Sequence, residues 1–198
     1  MGLTPAPVNA WFVAWIALAP LWVLVTTHPK SNPYPSNLPR FIKRSRRFLS
    51  PEFRLGFTWG FGYNLIALSW ITGLHPLTWM GIPWAASITI TIACWLIITL
   101  WGALLVGIWA GVLSWLDRPF SLRSPFPFYS ALLRVLIGTA LWCILETIWS
   151  WSPLEWTFLA YTQSPNNLWI LHLGQLSGPM LVTGAIVAFN GLIAEAWT

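Results

Sequence analysis

Charge is what this 198-residue chain has least of: Asp, Glu, Lys and Arg together make up 8 % of it, about a third of their usage in an ordinary soluble domain. That scarcity excludes a conventional water-soluble globule. With 57 % apolar residues, it also excludes a disordered chain, which needs low hydrophobicity and high charge. Alternating ten-residue strands are missing too, which argues against an outer-membrane barrel. Cysteine is scarce: Cys94 and Cys143 both lie inside apolar runs, so neither a disulfide framework nor a metal-ligand spacing is present. Acidic residues number five, with no paired carboxylates, no Gly-rich phosphate loop and no Ser/His/Asp set. His28, His75 and His172 are scattered along the chain and share no site. A nucleophilic cysteine needs a neighbouring base and a polarised thiolate; Cys143 has Glu146 three residues on, but a carboxylate and burial both disfavour the thiolate, so a nucleophilic role is not expected. The chain alone is therefore expected to catalyse nothing, with no metal and no cofactor.

What is present is a set of long apolar runs, which predicts an all-α, polytopic transmembrane helix bundle of about five spans in a single domain over 1–198. Val8 to Thr26 is the first span, uncharged throughout, and the lack of any Lys or Arg before it argues against a cleaved signal peptide. A Pro-rich basic loop over 28–54 follows. Leu55 to Leu74 is the second span, turning at His75-Pro76 into a connector that ends at Pro83. Trp84 to Leu116 is then apolar for 33 residues, about 50 Å of helix against a hydrocarbon core of roughly 30 Å. It is expected to be one long tilted span that projects from the bilayer, the other reading being two short spans. Ala131 to Ser150 is the fourth span, the broken stretch 151–175 an outer loop or interfacial segment, and Leu176 to Trp197 the fifth span.

The basic residues decide orientation. Lys30, Arg40, Lys43, Arg44, Arg46, Arg47 and Arg54 crowd the 28–54 loop. With Trp84 to Leu116 as one span, Arg118, Arg123 and Arg134 fall on the same side, so all ten Lys and Arg occupy one face. The positive-inside rule places that face in the cytoplasm, with Met1 outside and Thr198 inside. The +5 charge is thus a topology signal, with anionic lipid head groups as a further role for Arg44-Ser45-Arg46-Arg47. Nucleic acid is not an expected partner, since no stacking platform accompanies the charges.

Few polar residues interrupt the runs. Glu146 lies about one turn from the outer end of the fourth span, on a helix face with Trp142 and Gly138. It is read either as a polar anchor of a lipid-facing cleft or of the outer loop, or as a carboxyl that simply reaches the interface or a neighbouring helix. Asn64 and Asn190 are expected interhelical hydrogen-bond partners. Gly56, Gly60 and Gly62 form a small-residue face for close helix packing. Among the 17 tryptophans, Trp79, Trp84, Trp151 and Trp156 sit near span boundaries, where an indole straddles oil and water.

Several strings, in order and spacing, resemble the membrane half of apolipoprotein N-acyltransferase, the bacterial enzyme that finishes lipoprotein maturation. They are Gly2-Leu3-Thr4-Pro5-Ala6-Pro7 with Trp11, Gly56-Phe57-Thr58-Trp59-Gly60-Phe61-Gly62 with Trp70, and Ala110-Gly111-Val112-Leu113. The most specific set is Trp142-x-x-x-Glu146, Trp156, Tyr161-Thr162-Gln163, Gly174-Gln175 and Gly178. The chain departs from the family pattern at Trp149, where an Arg is usual, and at Ser152 to Trp156, which replaces a Gly-Phe-Pro-Trp turn.

The resemblance implies a bacterial inner-membrane protein whose partners are a phospholipid acyl donor and a diacylglyceryl lipoprotein. In the family a cysteine takes an acyl chain as a thioester and passes it to the amine of an N-terminal diacylglyceryl-cysteine. The Glu-Lys-Cys triad for this belongs to a nitrilase-like domain outside the membrane. By the same resemblance this chain begins after the family's first helix and stops before that domain, so no catalytic residue is carried over. It is read as a truncated frame or as one part of a split enzyme with a separate nitrilase-like half. Glu146, Tyr161, Gln163 and Trp142 are the expected lipid-cleft or loop-anchoring residues. The alternative is a non-catalytic membrane scaffold or lipid-binding subunit. A transporter is disfavoured by the lack of paired intramembrane charges and inverted repeats.

Overall fold

The computed structural model describes residues 1–4, 8–27, 50–121 and 127–198. Most of the basic loop, including Lys30, Arg40, Lys43, Arg44, Arg46 and Arg47, lies outside the described residues, as does Arg123. The described residues are helical and contain no strand. Five main helices carry the fold: α1 (Ala19–Thr27), α2 (Pro51–Ala67), α3 (Trp84–Ser121), α4 (Pro127–Trp149) and α5 (Pro179–Trp197). Three described segments are long and apolar enough to cross a membrane: Trp84–Asp117, Phe128–Trp149 and Pro179–Trp197. The 33-residue apolar run is one unbroken helix, extended to Ser121.

The first apolar run is not one helix. A 3-10 turn, Trp11–Trp15, precedes α1. Pro20 has no amide to offer the preceding turn and its ring disfavours a continuous helix there. The amides freed at the break are taken by a side chain: Asn190 Oδ1 on α5 accepts from Leu18 N at 2.9 Å and Ala19 N at 3.0 Å. Its Nδ2 donates to Ala14 O and to Ile186 O, each at 2.9 Å. Asn190, fully buried, thus fastens the broken first segment to the last helix.

At α2, the Ser50 hydroxyl accepts from Phe53 N at 3.1 Å and Pro51 sits in the first turn, a regular helix start. The segment read as 55–74 divides into α2 and a 3-10 turn, Ser69–Leu74. At the last span, Gly178 with φ 70° separates the single turn Gly174–Ser177 from α5, a backbone state that glycine tolerates without strain.

The α2–α3 hairpin packs backbone to backbone. A Cβ at Gly56 would stand 2.6 Å from Val106 O and from the Ala110 Cβ, and one at Gly60 2.8 Å from the Val106 Cβ. Gly62 differs: two residues on, about 200° round the helix from Gly60, it would meet nothing within 4 Å, so it takes no part in this contact. Gly56→Val is expected to destabilise the bundle by about 2 kcal/mol through overpacking against a carbonyl that cannot move aside. Gly62→Ala is expected to be neutral or mildly stabilising. Unfolding midpoints in detergent would separate the two, and equal midpoints would sink the packing argument.

Between the helices runs a column of indoles. Trp22 and Trp109 are fully buried and Trp142 nearly so, with ring centroids 5.3 Å apart for Trp22 and Trp109 and 5.2 Å for Trp109 and Trp142. Their polar atoms are provided for: Trp109 Nε1 donates to Gly138 O at 2.9 Å. Gly138 admits this packing because a Cβ there would lie 2.2 Å from Trp22.

Candidate functional site

The connection between α4 and α5 is where most of the sequence-predicted residues gather. Glu146, one turn before the end of α4, is 2 % exposed yet accepts three hydrogen bonds. Its Oε1 takes Leu159 N at 2.9 Å and Trp142 Nε1 at 3.2 Å, and its Oε2 takes the Thr183 hydroxyl at 2.8 Å. The carboxyl therefore joins α4, α5 and the start of the loop's 3-10 turn, Leu159–Gln163. Trp142 reaches it because residues four apart share a helix face.

The other end of that turn is held by Gln163, which is fully buried. Gln163 Oε1 accepts from Trp15 Nε1 at 3.0 Å and Asn167 Nδ2 at 2.8 Å, while its Nε2 donates to Trp11 O at 3.3 Å and Thr162 Oγ1 at 3.1 Å. No hydrogen bond joins Glu146 to Gln163 or to Tyr161 directly. Tyr161 stands apart from both, 54 % exposed, with its ring edge-on to Phe158 at 5.3 Å. The three residues thus form two separate clamps with an exposed phenol between them, in place of one polar cluster. Gln163→Leu removes both acceptor and donor roles and is expected to cost about 2 kcal/mol. Proteolysis near residues 159–167 should accelerate; an unchanged cleavage rate would contradict the clamp.

A third tie involves a residue read only as a helix-packing asparagine. Asn64 Oδ1 accepts from Thr157 Oγ1 at 2.8 Å, and its Nδ2 donates to Gly60 O at 2.8 Å. Glu155, half-buried in the loop, accepts from Thr157 N at 3.1 Å. Burial pushes its carboxyl above the usual range, partly offset by that amide.

Beside the loop, Phe57, Ile97, Leu100, Trp101, Leu104 and Leu154 line an open apolar groove of about 350 Å³. Such a lining suits hydrocarbon and offers nothing to a charged ligand.

At the opposite end of the helices lies a network that sequence reading did not assemble. Arg134 on α4 donates from Nε to both Glu195 oxygens, at 3.0 and 3.1 Å, and from Nη2 to Oε2. Its Nη1 lies 3.7 Å from Asp117 Oδ1 on α3. Trp22 Nε1 on α1 adds a bond to Glu195 Oε1 at 3.3 Å. Four helices meet there. The signal available in sequence was the presence of an arginine and two acids at the ends of apolar runs, without any indication of which pair.

Neither cysteine shows a hydrogen bond to a base, although Glu146 lies one turn from Cys143 on α4. Cys94 is exposed on α3, and Cys143 is half-buried, its Sγ directed at Met180 O at 3.7 Å. His75 Nδ1 lies 2.8 Å from Ser87 Oγ, and His172 Nδ1 2.6 Å from Leu168 O. Among the described residues, no group of His, Cys, Asp and Glu could hold a metal ion. The arrangement can therefore position a loop and offer an apolar surface.

Fold and site together define a helical membrane-protein domain that holds a structured loop with buried polar side chains. The chain belongs to the apolipoprotein N-acyltransferase family: residues 1–192 match the family model for the apolipoprotein N-acyltransferase N-terminal domain. It is 52 % identical over 197 residues to an apolipoprotein N-acyltransferase of Nostoc sp., covering 100 % of this chain and 35 % of that protein. It is 40 % identical over 195 residues to one of Synechocystis sp., covering 98 % and 36 %. With one of Thermosynechococcus vestitus the identity is 34 % over 189 residues, covering 94 % and 31 %. The chain thus spans about a third of the length of the curated relatives it matches. No solved structure matches.

Proposed function

We propose that these residues form the membrane platform of an apolipoprotein N-acyltransferase, which moves an acyl chain from phospholipid to the N-terminal diacylglyceryl-cysteine of lipoproteins. The observation that carries this reading is the match of residues 1–192 to the family's N-terminal domain. The reactive cysteine comes from a nitrilase-like part outside these residues. It attacks the phospholipid ester to give a thioester and a lysophospholipid, and the lipoprotein amine then displaces the thiol. Splitting the transfer into two displacements makes each one easier. The described residues contribute placement: Glu146, Trp142 and Gln163 hold the α4–α5 loop, and Tyr161 is presented on its surface.

The platform sits in the bacterial inner membrane as a multi-pass bundle, with the 28–54 loop in the cytoplasm and the α4–α5 loop outside. The single-sided distribution of Lys and Arg supports this orientation. The 198-residue chain is inactive on its own. The test is complementation of a strain depleted of its N-acyltransferase. The chain alone should fail, and the chain joined to the part of the Nostoc relative that it does not cover should restore growth and lipoprotein N-acylation. Activity of the chain alone would refute the division of labour, and failure of the joined protein would favour a non-catalytic scaffold.

A further inference from the structure

Both clamps on the α4–α5 loop trace back to α5, one directly and one through an intermediary. Thr183, in the second turn of α5, donates to Glu146 itself. Gln163 is bonded instead to the 3-10 turn of the first segment, at Trp15 Nε1 and Trp11 O, and to its loop neighbours Thr162 and Asn167. That turn hangs on α5 in its own right. Asn190 takes up Leu18 N, Ala19 N and Ala14 O, and the Phe189 ring meets Trp15 edge-on at 5.3 Å. Ala14, Ala160, Val182 and Ile186 form a small buried cluster that fills the space between the turn, the loop and α5.

The break before α1 is what makes a single side chain decisive. A segment interrupted inside an apolar bundle has amides and a carbonyl that cannot turn to water. Asn190 satisfies two of those amides and one carbonyl at once, so the angle between α1 and the 3-10 turn is fixed by that one amide group. Remove it, and the freed groups find other partners at other angles. The turn carries Trp11 and Trp15, so its angle decides where Gln163 is held, and with it the loop turn Leu159–Gln163.

We infer that Asn190 and Trp15 are positioning residues for the acyl transfer, and that the broken first segment is the strut through which they act on the loop and on Tyr161. This rests on the function proposed above. Asn190 lies about 17 Å along α5 from its first residue and is fully buried, bonded to backbone groups of the first segment and of its own helix. It touches no substrate, so any effect it has on rate passes through the strut. A group that helps a transfer does so only where it is held, and a misplacement of about 1 Å can cost about a hundredfold.

The test uses the purified fusion of this chain to the uncovered part of the Nostoc relative, assayed in detergent with phospholipid and a synthetic diacylglyceryl-cysteine peptide. Trp15→Phe removes the indole N–H from Gln163 and keeps a ring against Phe189. It should lower kcat by about fivefold at an unchanged amount of folded protein, with KM for the peptide within about twofold, because orientation is lost and binding is not. Asn190→Ala should lower kcat by about tenfold. Combined with Gln163→Leu it should be no slower than the slower single variant, because the two changes cut one line at two points. Losses that multiply in the double variant overturn the inference, as does an unchanged kcat in Trp15→Phe or a loss that only follows the folded fraction. An inactive parent fusion defeats the platform function, and the strut is then judged on the 198-residue chain by proteolysis between residues 159 and 167. Trp15→Phe and Asn190→Ala should both accelerate that cleavage, and an unchanged rate overturns the strut.

Discussion

Replacing Glu146 by Ala is expected to cost about 3 kcal/mol and to release the α4–α5 loop, while Glu146→Gln is expected to stay within about 1 kcal/mol of the parent chain. The difference follows from the donor inventory. Alanine leaves Leu159 N, Trp142 Nε1 and the Thr183 hydroxyl, now joined through Glu146, without an acceptor in a site where Glu146 is 2 % exposed. Each unsatisfied buried donor costs about 1 kcal/mol or more. Glutamine keeps one carbonyl oxygen, able to accept from both Leu159 N and Trp142 Nε1. Its amide can donate to Thr183 Oγ1, which is free to turn and accept.

Two measurements check this. Unfolding midpoints in detergent should rank parent and Glu146→Gln together above Glu146→Ala. Limited proteolysis should cut the alanine variant faster between residues 150 and 178. If glutamine proves as harmful as alanine, the acceptor count is wrong as the explanation and the negative charge itself matters. In an active fusion, the same ranking is expected for N-acylation, because the clamp acts by holding the loop and not by chemistry.

Much of this was legible in the sequence for a physical reason. A carboxyl in an apolar run has few ways to be tolerated, so Glu146 and its i−4 partner Trp142 stood out, as did Asn190. The long third run was readable as one helix because the arginines after it balanced the charges on one face. The rest depended on backbone geometry. The break in the first segment follows from Pro20, but its repair by Asn190, 171 and 172 residues away from the two amides, needs the folded chain. Tyr161 and Gln163 look equivalent as a spaced motif. In a 3-10 turn they face different ways, so one is exposed and the other is buried. Gly62 continues a glycine run in sequence and leaves the packed face in space.

Arg134 is the least legible residue and the source of the second large effect. Read as a topology charge, it is instead a bidentate partner of Glu195 and a neighbour of Asp117, acids that are 7 % and 2 % exposed at the side chain. Arg134→Met is expected to cost about 4 kcal/mol, because breaking a buried pair leaves its acid uncompensated. Arg134→Lys should recover only part of that, since an ammonium cannot reproduce the two-pronged contact. The informative variant is the double replacement, Arg134→Met with Glu195→Met. Removing both partners replaces a buried ion pair by apolar volume, which is often close to neutral, so the double variant should be at least about 2 kcal/mol more stable than Arg134→Met alone. Additive losses would mean that the guanidinium acts independently of Glu195, and the four-helix junction would then need another explanation. Counting Arg134 only as an orientation signal misses its use: a basic residue near the end of a span, given an acid on each of two neighbouring helices, fixes how the ends are joined.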